Sequence, residues 1–389
     1  MDGLIPRWIE FPNRRSLLLL GPRRSGKTTL LRNRYPSFTY VTLDDLDQLD
    51  WAAKDAKGFA ASLSGPTIID EIQRCPRLTI AVKHAIDEKQ ARFLMTGSSI
   101  IGLLDAGGDT LAGRIELRSL PTFCWGEETG APTHNLFSQK APLPQLREGA
   151  RRLEKAIGFG QFPEVVTTTG DQERLAILKN YRDTYFIRDL MQLSNLANLE
   201  GLLALFHHLA RSLGSHLEIS SFARETGLSF VTARKYLNAL HQAQLTFRLY
   251  GYQYGPAKRH LKAAKNYFAD NGIITGLGAR ISEGQALENF VIAELEKRRK
   301  LGYLECDQLY YYKSAGGREI DVVFQEKETV VAIEIKNSSR PGPRDLRNLR
   351  EFSKTMAAPV KAFLFYTGTE YTEIDGIKLL PVAALWRGI

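Results

Sequence analysis

The sequence predicts an α/β protein of several domains, and three observations support that fold class. The chain has 389 residues, and because domains usually hold about 100–200 residues we expect two or three of them. Short apolar runs alternate with helical patterns from residue 17 to about 128, which indicates a mostly parallel sheet with helices on both faces. Glycine, serine and proline then crowd residues 129–150, which we interpret as a linker.

The first predicted domain, residues 1–128, contains five apolar runs typical of strands and two clear helical patterns. The predicted strands cover residues 17–20, 38–43, 67–70, 92–96 and 115–117. The predicted helices cover residues 26–33 and 78–88. Strands and helices that alternate in this way are connected by crossovers, so their carboxyl ends should meet at one edge of the sheet.

Composition narrows the expected location and partners. The formal net charge of +9 at pH 7 permits a phosphate-bearing partner such as nucleic acid without requiring one. The three cysteines, Cys75, Cys124 and Cys306, are far apart and lack a metal-binding spacing, so we expect reduced thiols. No apolar run near the start approaches the roughly 20 residues that a membrane span needs, and no signal-peptide core is present there. We therefore expect a cytoplasmic protein with no membrane partner.

A glycine-rich motif directly follows the first predicted strand. It matches GxxxxGK[ST] in full and comprises Gly21, Pro22, Arg23, Arg24, Ser25, Gly26, Lys27 and Thr28. After an apolar strand and before a helix, this pattern is that of a phosphate-binding P-loop. Its backbone N–H groups turn towards phosphate oxygens, and the helix that follows adds its positive end. We assign Lys27 to the β- and γ-phosphates of ATP and the Thr28 hydroxyl to Mg²⁺, and we place Thr29 in the same site.

Two adjacent acids end the predicted strand 67–70, about 40 residues after the P-loop. Asp70 is placed to bind Mg²⁺ directly or through water. Glu71 is placed to orient and deprotonate the attacking water. A pair of helix-capping acids at a strand end is the alternative, but together with the P-loop the pair predicts ATP hydrolysis.

Two further polar residues are candidates for the same site. Ser98 follows the predicted strand 92–96 and is a candidate sensor of the γ-phosphate; a simple turn is the alternative. Arg114 is a candidate for stabilising transition-state charge, either in its own subunit or in a neighbouring one of a homo-oligomer. A surface arginine without a catalytic role is the alternative for Arg114.

Two helical units are expected after the linker. Residues 151–213 form a predicted helical lid, in which Leu175, Leu178, Tyr181 and Tyr185 are spaced for one helix face. Residues 214–270 predict a winged helix-turn-helix: two helices separated by a tight glycine turn, followed by a hairpin.

Serines indicate where the helices of this predicted winged helix-turn-helix begin, and basic residues indicate where it could contact DNA. Ser220 and Ser229 are the candidate N-caps of its two helices. The predicted hairpin strands, 245–252 and 265–269, flank the basic turn Lys258-Arg259-His260. Early residues of the second helix face base edges in DNA-binding proteins of this type, so Thr232, Arg234 and Lys235 are candidate groove contacts and Lys258 and Arg259 candidate phosphate contacts. Packing between domains is the alternative role.

The motifs resemble a known family. The segments GPRRSGKTT, TIIDEIQRCP, FLMTGSS and LAGR resemble the AAA+-like ATPases of the ExeA-related group. The segments GQFPEVV, YFIRDL, KNYFADNGI and GQALENFVIAEL look like the uncharacterised region that usually follows this ATPase. The resemblance implies an ATPase domain, a helical lid, a winged helix and a terminal nuclease-like module at residues 271–389.

Four residues of the terminal module match the pattern of the PD-(D/E)XK nucleases. Asp321 precedes a strand pattern in which Glu334 and Lys336 share one face, and Glu288 on the preceding helix matches the helix acid of that fold. Carboxylates bind Mg²⁺, and a nearby lysine positions water or stabilises charge on the phosphate. The resemblance therefore implies a restriction-endonuclease-like α/β domain with Glu288, Asp321 and Glu334 as metal ligands and Glu334 and Lys336 as catalytic residues. A solvated strand face or an inactive nuclease fold are the alternatives.

These observations predict an ATPase that uses Mg²⁺ and ATP to position a DNA-binding, nuclease-like C-terminal half. An ATP-dependent switch whose C-terminal module is inactive and binds protein or nucleic acid is the second hypothesis.

Overall fold

The computed structural model describes residues 4–12, 15–89, 91–98, 113–133, 136–187, 191, 198–252 and 264–387. Its strands in chain order are β1 Ser16–Leu20, β2 Thr39–Thr42, β3 Thr67–Asp70, β4 Phe93–Gly97, β5 Ile115–Ser119, β6 Thr246–Gly251, β7 Lys265–Phe268, β8 Tyr310–Lys313, β9 Glu319–Glu326, β10 Thr329–Lys336, β11 Val360–Tyr366, β12 Thr372–Ile374 and β13 Ile377–Pro381. Its α-helices are Lys27–Arg34, Leu46–Lys54, Ala56–Ser62, Leu78–Lys89, Leu143–Phe159, Pro163–Thr167, Asp171–Tyr181, Leu199–Arg211, Ile219–Thr226, Phe230–Gln242, Asn271–Leu277, Glu283–Lys300 and Arg347–Thr355.

The first sheet is parallel, with strand order β2-β3-β4-β1-β5. The leucines of β1 alternate between two apolar clusters: Leu18 and Leu20 pack on one face of the sheet, and Leu17 and Leu19 on the other. Both faces are therefore covered, which explains why the central strand is a continuous apolar run. This confirms the predicted α/β class with a parallel sheet.

The segment predicted as a linker, 129–150, is more structured than its composition suggests. The helix Leu143–Phe159 begins inside it, with proline in its first turn. Proline is compatible with that position because the first helical N–H groups have no partner within the helix. The ring of Phe137 packs on Phe363 of β11, with centroids 4.5 Å apart. The linker assignment was therefore too long, and its proline-rich end is a helix start.

The predicted lid consists of several short helices. In the helix Asp171–Tyr181, Leu178 and Tyr181 are buried and Tyr185 packs on the ring of Tyr181. The chain then widens into a π-helical turn over Arg182–Ile187. Apolar spacing thus identified the buried face of this helix.

Two helices and a hairpin follow, as the sequence predicts. Gly227 lies between the helices at φ 66°, a left-handed conformation that suits glycine. The Ser229 hydroxyl accepts a hydrogen bond from the Thr232 N–H at 3.1 Å and so caps the second helix. The first helix begins at Ile219, with Glu218 at the N-cap position. Ser220 therefore lies inside the first turn, which corrects its predicted capping role.

The second sheet has eight strands in the order β12-β13-β11-β10-β9-β8-β6-β7. The hairpin β6–β7 is antiparallel, and β6 also pairs in parallel with β8, with Tyr250 opposite Tyr310. Without this pairing the edge of β6 would present unpaired backbone groups. The hairpin expected to belong to residues 214–270 is therefore continuous with the terminal sheet.

The helix Glu283–Lys300 lies between this sheet and the first domain. Ser282 and Gln285 form a capping box at its start. Its second half buries Glu294, Lys297 and Arg298, charged residues that are rarely buried unless they are paired. Among the described residues, no helix is both long and apolar enough to cross a membrane.

Candidate functional site

The P-loop leaves the carboxyl end of β1 in a conformation that depends on its two glycines. Gly26 has φ 88°, which residues with a side chain rarely adopt. A Cβ on Gly21 would come within 2.1 Å of the Leu120 carbonyl oxygen. The motif therefore needs both glycines here, one for its turn and one for a close approach of two chain segments.

Lys27 is buried at the centre of the loop. Its ammonium group donates hydrogen bonds to the carbonyl oxygens of Gly21 and Pro22, both at 3.0 Å. Burial lowers the pKa of Lys27 to about 8, although the nearby carboxylates of Glu71 and Asp70 oppose that shift. Phosphate oxygens would bring negative charge close to this buried ammonium and so would favour its charged form.

Asp70 ends β3 and is held by hydroxyl groups. It accepts a hydrogen bond from the Thr28 hydroxyl at 2.9 Å, another from the Tyr40 hydroxyl at 2.9 Å, and a third from Thr96. The structure thus brings together Thr28 and Asp70, the two predicted Mg²⁺ ligands of this site. Mg²⁺ usually keeps several waters and takes few protein ligands, so one hydroxyl and one carboxylate suffice beside phosphate oxygens.

Glu71 adopts a left-handed backbone conformation with φ 57°. Its carboxylate accepts a hydrogen bond from the Gln73 amide, which also donates to the Ser98 hydroxyl at 2.9 Å. Ser98 therefore lies beside the predicted base. Gln73 was not among the predicted site residues, although its position two residues after the acid pair was a usable signal.

A cavity of about 600 Å³ opens over the P-loop, Asp70 and Glu71. The predicted residues that line it include Arg23, Arg24, Ser25 and Thr29. Further lining residues come from the start of the chain, from the segment after β5 and from the predicted lid: Leu4, Ile5, Arg7, Phe123, Pro163, Glu164, Thr167, Tyr181 and Tyr185. Sequence reasoning missed this second group because its members are distant along the chain from the P-loop.

Arg7 connects the start of the chain to the P-loop. Its guanidinium donates to the Ser25 carbonyl oxygen at 2.9 Å and to the Pro121 carbonyl oxygen at 2.8 Å. It also forms an ion pair with Glu127 at 3.1 Å, and both side chains are nearly inaccessible to solvent. Arg7 therefore holds the wall of the cavity in place.

Arg24 connects the P-loop to the lid. It has φ 62°, donates a hydrogen bond to the Tyr185 hydroxyl and lies 3.8 Å from Glu164. Glu164 in turn accepts a hydrogen bond from the Tyr181 hydroxyl. The predicted lid thus contacts the tip of the loop that would hold phosphate.

Arg114 does not reach this cavity in its own subunit. It precedes Ile115, which pairs with Ser16 at the amino end of β1, whereas the P-loop follows the carboxyl end. Parallel strands put these ends at opposite edges, about 13 Å apart over five residues. The Arg114 guanidinium instead pairs with Asp87 at 2.6 Å. The structure therefore corrects the role expected for Arg114 within its own subunit.

A second candidate site lies where β9 and β10 meet. The Ile335 N–H donates to the Asp321 carboxylate at 2.8 Å. Lys336 lies 3.4 Å from the Glu334 carboxylate, which also accepts a bond from the Asn348 amide at 3.4 Å. Asp321, Glu334 and Lys336 are therefore brought together as the two-residue alternation of β10 predicts.

The acids of this second site affect one another. Burial, followed by the charge of Asp321, raises the pKa of Glu288 to about 7. The same two causes raise the pKa of Glu334 well above its usual range. Glu288 also accepts a hydrogen bond from the Tyr267 hydroxyl at 2.8 Å. The charges of these three acids repel one another, so a bound cation or a proton would stabilise the cluster.

The acids do not form a ready-made metal site. Within the described residues, no group of three or more histidine, cysteine, aspartate or glutamate side chains is arranged to hold a metal ion. The predicted set of Glu288, Asp321 and Glu334 is therefore not assembled as three ligands in this structure. Asp321 and Glu334 are the members held by β9 and β10, whereas Glu288 comes from a separate helix.

The candidate DNA-contacting residues lie partly within the described chain. Phe230, Val231, Arg234 and Lys235 are exposed at the start of the second helix. The Thr232 hydroxyl is hydrogen-bonded to Ser229 at 2.8 Å. The predicted basic turn, with Lys258 and Arg259, lies outside the described residues.

Three segments of the chain match family models. Residues 13–128 match the model described as an AAA domain. This match supports an AAA-like ATPase domain at the start of the chain. Residues 150–283 and 283–385 match models described as domains of unknown function, DUF8612 and DUF4143. The AAA-like match covers β1 to β5, the P-loop and the acid pair.

The relatives extend over most of the chain. The uncharacterized protein Rv2008c of Mycobacterium tuberculosis is 28% identical over 337 residues, which is 84% of this chain and 71% of that protein. The uncharacterized protein MJ1544 of Methanocaldococcus jannaschii is 24% identical over 333 residues, or 81% and 74% of the two chains. Protein VC1899 from Vibrio cholerae, a solved structure, aligns over 95% of both chains at 11% identity with a TM-score of 0.23, too low to support an argument.

Proposed function

We propose that this protein binds Mg²⁺–ATP over the P-loop, hydrolyses it, and uses the nucleotide state to position its C-terminal half. The observation that carries the proposal is the convergence of Lys27, Thr28, Asp70 and Glu71 on a single cavity. Lys27 would hold the β- and γ-phosphates, and Thr28 and Asp70 would hold Mg²⁺, directly or through water. Glu71 would orient and deprotonate the attacking water, with Gln73 and Ser98 fixing its carboxylate.

ATP turnover of a Glu71→Gln variant tests this proposal. We expect turnover to fall at least about a hundredfold, because a positioned general base contributes on the order of 10²–10⁴ in rate. Affinity for a fluorescent ATP analogue should stay near that of the wild type, since the amide keeps the size of the side chain. Glu116→Gln, on β5 and paired with Arg118, is the matched control. Equal turnover in the wild type and Glu71→Gln would overturn the proposal.

Contacts across the domains support a link between nucleotide and the C-terminal half. The Asp270 carboxylate is 1% exposed and accepts bonds from the Thr122 hydroxyl at 2.6 Å and from the Gln161 N–H at 3.0 Å. It also pairs with Lys297 of the helix Glu283–Lys300 at 2.9 Å. One buried carboxylate thus joins the segment after β5, the lid and the helix that carries Glu288.

A second candidate function is metal-dependent cleavage of nucleic acid by the C-terminal module. The Ile335 N–H bond to Asp321 and the Glu334–Lys336 pair favour it, because they match the D…ExK arrangement. The test incubates plasmid, single-stranded DNA and RNA with Mg²⁺ or Mn²⁺, using wild type, Asp321→Asn and the exposed control Asp375→Asn. Metal-dependent cleavage lost only in Asp321→Asn supports the nuclease. No cleavage alongside normal ATP turnover favours an ATP-dependent switch whose module binds protein or nucleic acid.

The narrower assignments belong to the same proposal. We place the protein in the cytoplasm and in the ExeA-related group, with a lid at residues 151–213, a winged helix at 214–270, a nuclease-like domain at 271–389 and DNA as partner. Arg114 keeps a catalytic role only towards a neighbouring subunit. Mixing Arg114→Ala with Lys27→Ala protein tests that role: recovery of turnover in the mixture supports a homo-oligomer with a shared site, and additive inactivity opposes it.

A further inference from the structure

A compact charge cluster lies beside the carboxylate site and has no part in the roles described so far. Glu319, the first residue of β9, pairs with Lys265 of β7 at 2.9 Å and with Lys313 of β8 at 2.6 Å. A ring nitrogen of His216 lies 4.0 Å from the same carboxylate. Burial alone would raise the pKa of Glu319, but the two lysines bring it below its ordinary value. Two cations and an imidazole thus surround one negative group.

This cluster is built into the fold rather than attached to its surface. Lys265 is 2% exposed, and its ammonium lies 5.3 Å from the centre of the buried Tyr311 ring. The ring of His216 also packs against Tyr311, with the ring centroids 5.1 Å apart. Residue 216 pairs with Lys265 through an isolated β-bridge. Burying a lysine is costly without an anion, so the position beside Lys265 is shaped for a negative group.

The cluster adjoins the candidate nuclease centre. Glu319 and Asp321 are two residues apart on β9, so their Cα atoms lie about 7 Å apart. That spacing is similar to one backbone repeat of a nucleic-acid strand. Lys265 also lies near Glu288, because its charge opposes the rise in the pKa of that acid. A strand with one phosphate at Asp321 and Glu334 would bring its neighbouring phosphate to Lys265 and Lys313.

We propose that Lys265, Lys313 and His216 form a phosphate-binding subsite for a nucleic-acid strand, and that Glu319 occupies it in the unbound protein. Binding would exchange the Glu319 carboxylate for a backbone phosphate, with no covalent step. The inference rests on the proposed nucleic-acid role of the C-terminal module, and it names the residues beside the candidate cleavage site that would contact the strand.

Binding of a short fluorescent single-stranded DNA, measured by anisotropy in EDTA, tests the subsite without requiring cleavage. Lys313→Gln should weaken binding about three- to tenfold and lower the slope of log affinity against log salt by about one, as loss of one phosphate contact does. The matched control is Lys361→Gln, because Lys361 pairs with Glu326 at the other end of β9 at 2.8 Å. Both variants remove one charge, so equal weakening, or none in Lys313→Gln, would overturn the subsite.

Glu319→Gln provides the opposite change. Removing the competing carboxylate should tighten DNA binding several-fold, whereas Glu326→Gln should leave it unchanged. Because Lys265 is buried, thermal denaturation must first show that Glu319→Gln is folded; if it is not, Lys313→Gln alone decides. Looser or unchanged binding by folded Glu319→Gln would show that the pair only clamps the hairpin to the sheet, and so would contradict the proposal.

The outcomes separate this inference from the proposed nuclease. Cleavage that depends on Asp321, without a specific effect of Lys313→Gln on binding, would sink the subsite and leave the nuclease standing. A specific effect of Lys313→Gln without cleavage of any substrate would keep the subsite as part of a binding module.

Discussion

The nucleotide site and the second candidate site, the carboxylate cluster of Glu288, Asp321 and Glu334, differ in how their charged groups are held before any ligand binds. In the nucleotide site, Asp70 is held by the neutral hydroxyls of Thr28, Tyr40 and Thr96. In the carboxylate cluster, burial and, after it, the charge of Asp321 raise the pKa of both Glu288 and Glu334. The first site therefore has its carboxylate oriented in advance, whereas the second keeps like charges close together. This difference implies that a cation should affect the stability of the second site more than that of the first.

The largest effect is expected from breaking the frame of the nucleotide site, by which we mean the buried contacts that Arg7 makes beside the P-loop. Arg7→Met would remove the guanidinium from the buried pair with Glu127 and from the Ser25 carbonyl. We expect the free energy of unfolding in urea to fall by about 3 kcal/mol, as for other buried pairs that lose one partner. Arg114→Met, which removes an exposed pair with Asp87, is the control and should unfold like the wild type. Equal stability of Arg7→Met and wild type would contradict a preassembled frame.

A smaller effect is expected from the residue that orients the metal acid. Tyr40→Phe removes one hydrogen bond to Asp70, and outer partners of metal ligands typically contribute 10–100-fold. The Mg²⁺ concentration for half-maximal ATP turnover should therefore rise about tenfold. Tyr35→Phe, at a tyrosine whose ring packs on Phe38, controls for loss of a nearby hydroxyl. An unchanged Mg²⁺ requirement would mean that Asp70 keeps its orientation without Tyr40.

The carboxylate cluster should make stability depend on pH. Because the pKa of Glu288 is raised to about 7, the folded protein keeps a proton that the unfolded chain releases above its ordinary pKa of about 4.5. The free energy of unfolding should then fall as pH rises between about 4.5 and 7, by on the order of 1 kcal/mol. Glu288→Gln should make this decline shallower, and Glu334, whose pKa is also raised, should keep part of it. Mn²⁺ should oppose the decline in the wild type at about pH 8.

Denaturation in urea at about pH 5 and pH 8 measures this effect. Glu305→Gln, at an exposed glutamate, is the matched control and should keep the decline of the wild type. A Glu288→Gln profile with the same slope as the wild type would mean that Glu288 is not the group that holds the proton.

The smallest effect concerns the two helices, Ile219–Thr226 and Phe230–Gln242, that precede the hairpin β6–β7. Ser229→Ala removes the cap bonded to the Thr232 N–H and should cost about 1 kcal/mol in urea denaturation. Ser220→Ala lies inside a helix and should be close to neutral. A larger loss of stability in Ser220→Ala than in Ser229→Ala would contradict a first helix that begins at Ile219.

Much of the fold and of both sites could be predicted from local patterns. Continuous apolar runs located the strands of the parallel sheet, and alternation in β10 put Glu334 and Lys336 on one face. The limits of the linker could not be predicted, because proline marks both a break and the first turn of a helix. The pairing of β6 with β8 also gave no local signal, since strand order depends on how distant segments pack.

The sequence by itself determined the P-loop, the acid pair Asp70-Glu71 and the Ser229 cap, because each depends on residues that are neighbours along one strand, loop or helix. Only the tertiary structure decided that Arg7 supports the loop through Glu127, 120 residues away, that the lid tyrosines line the cavity, and that Arg114 lies at the opposite edge of the sheet. It also placed Lys265 and Glu319, 54 residues apart, in one cluster. The physical reason is that such contacts are created by the packing of separate elements, which chain spacing alone does not specify.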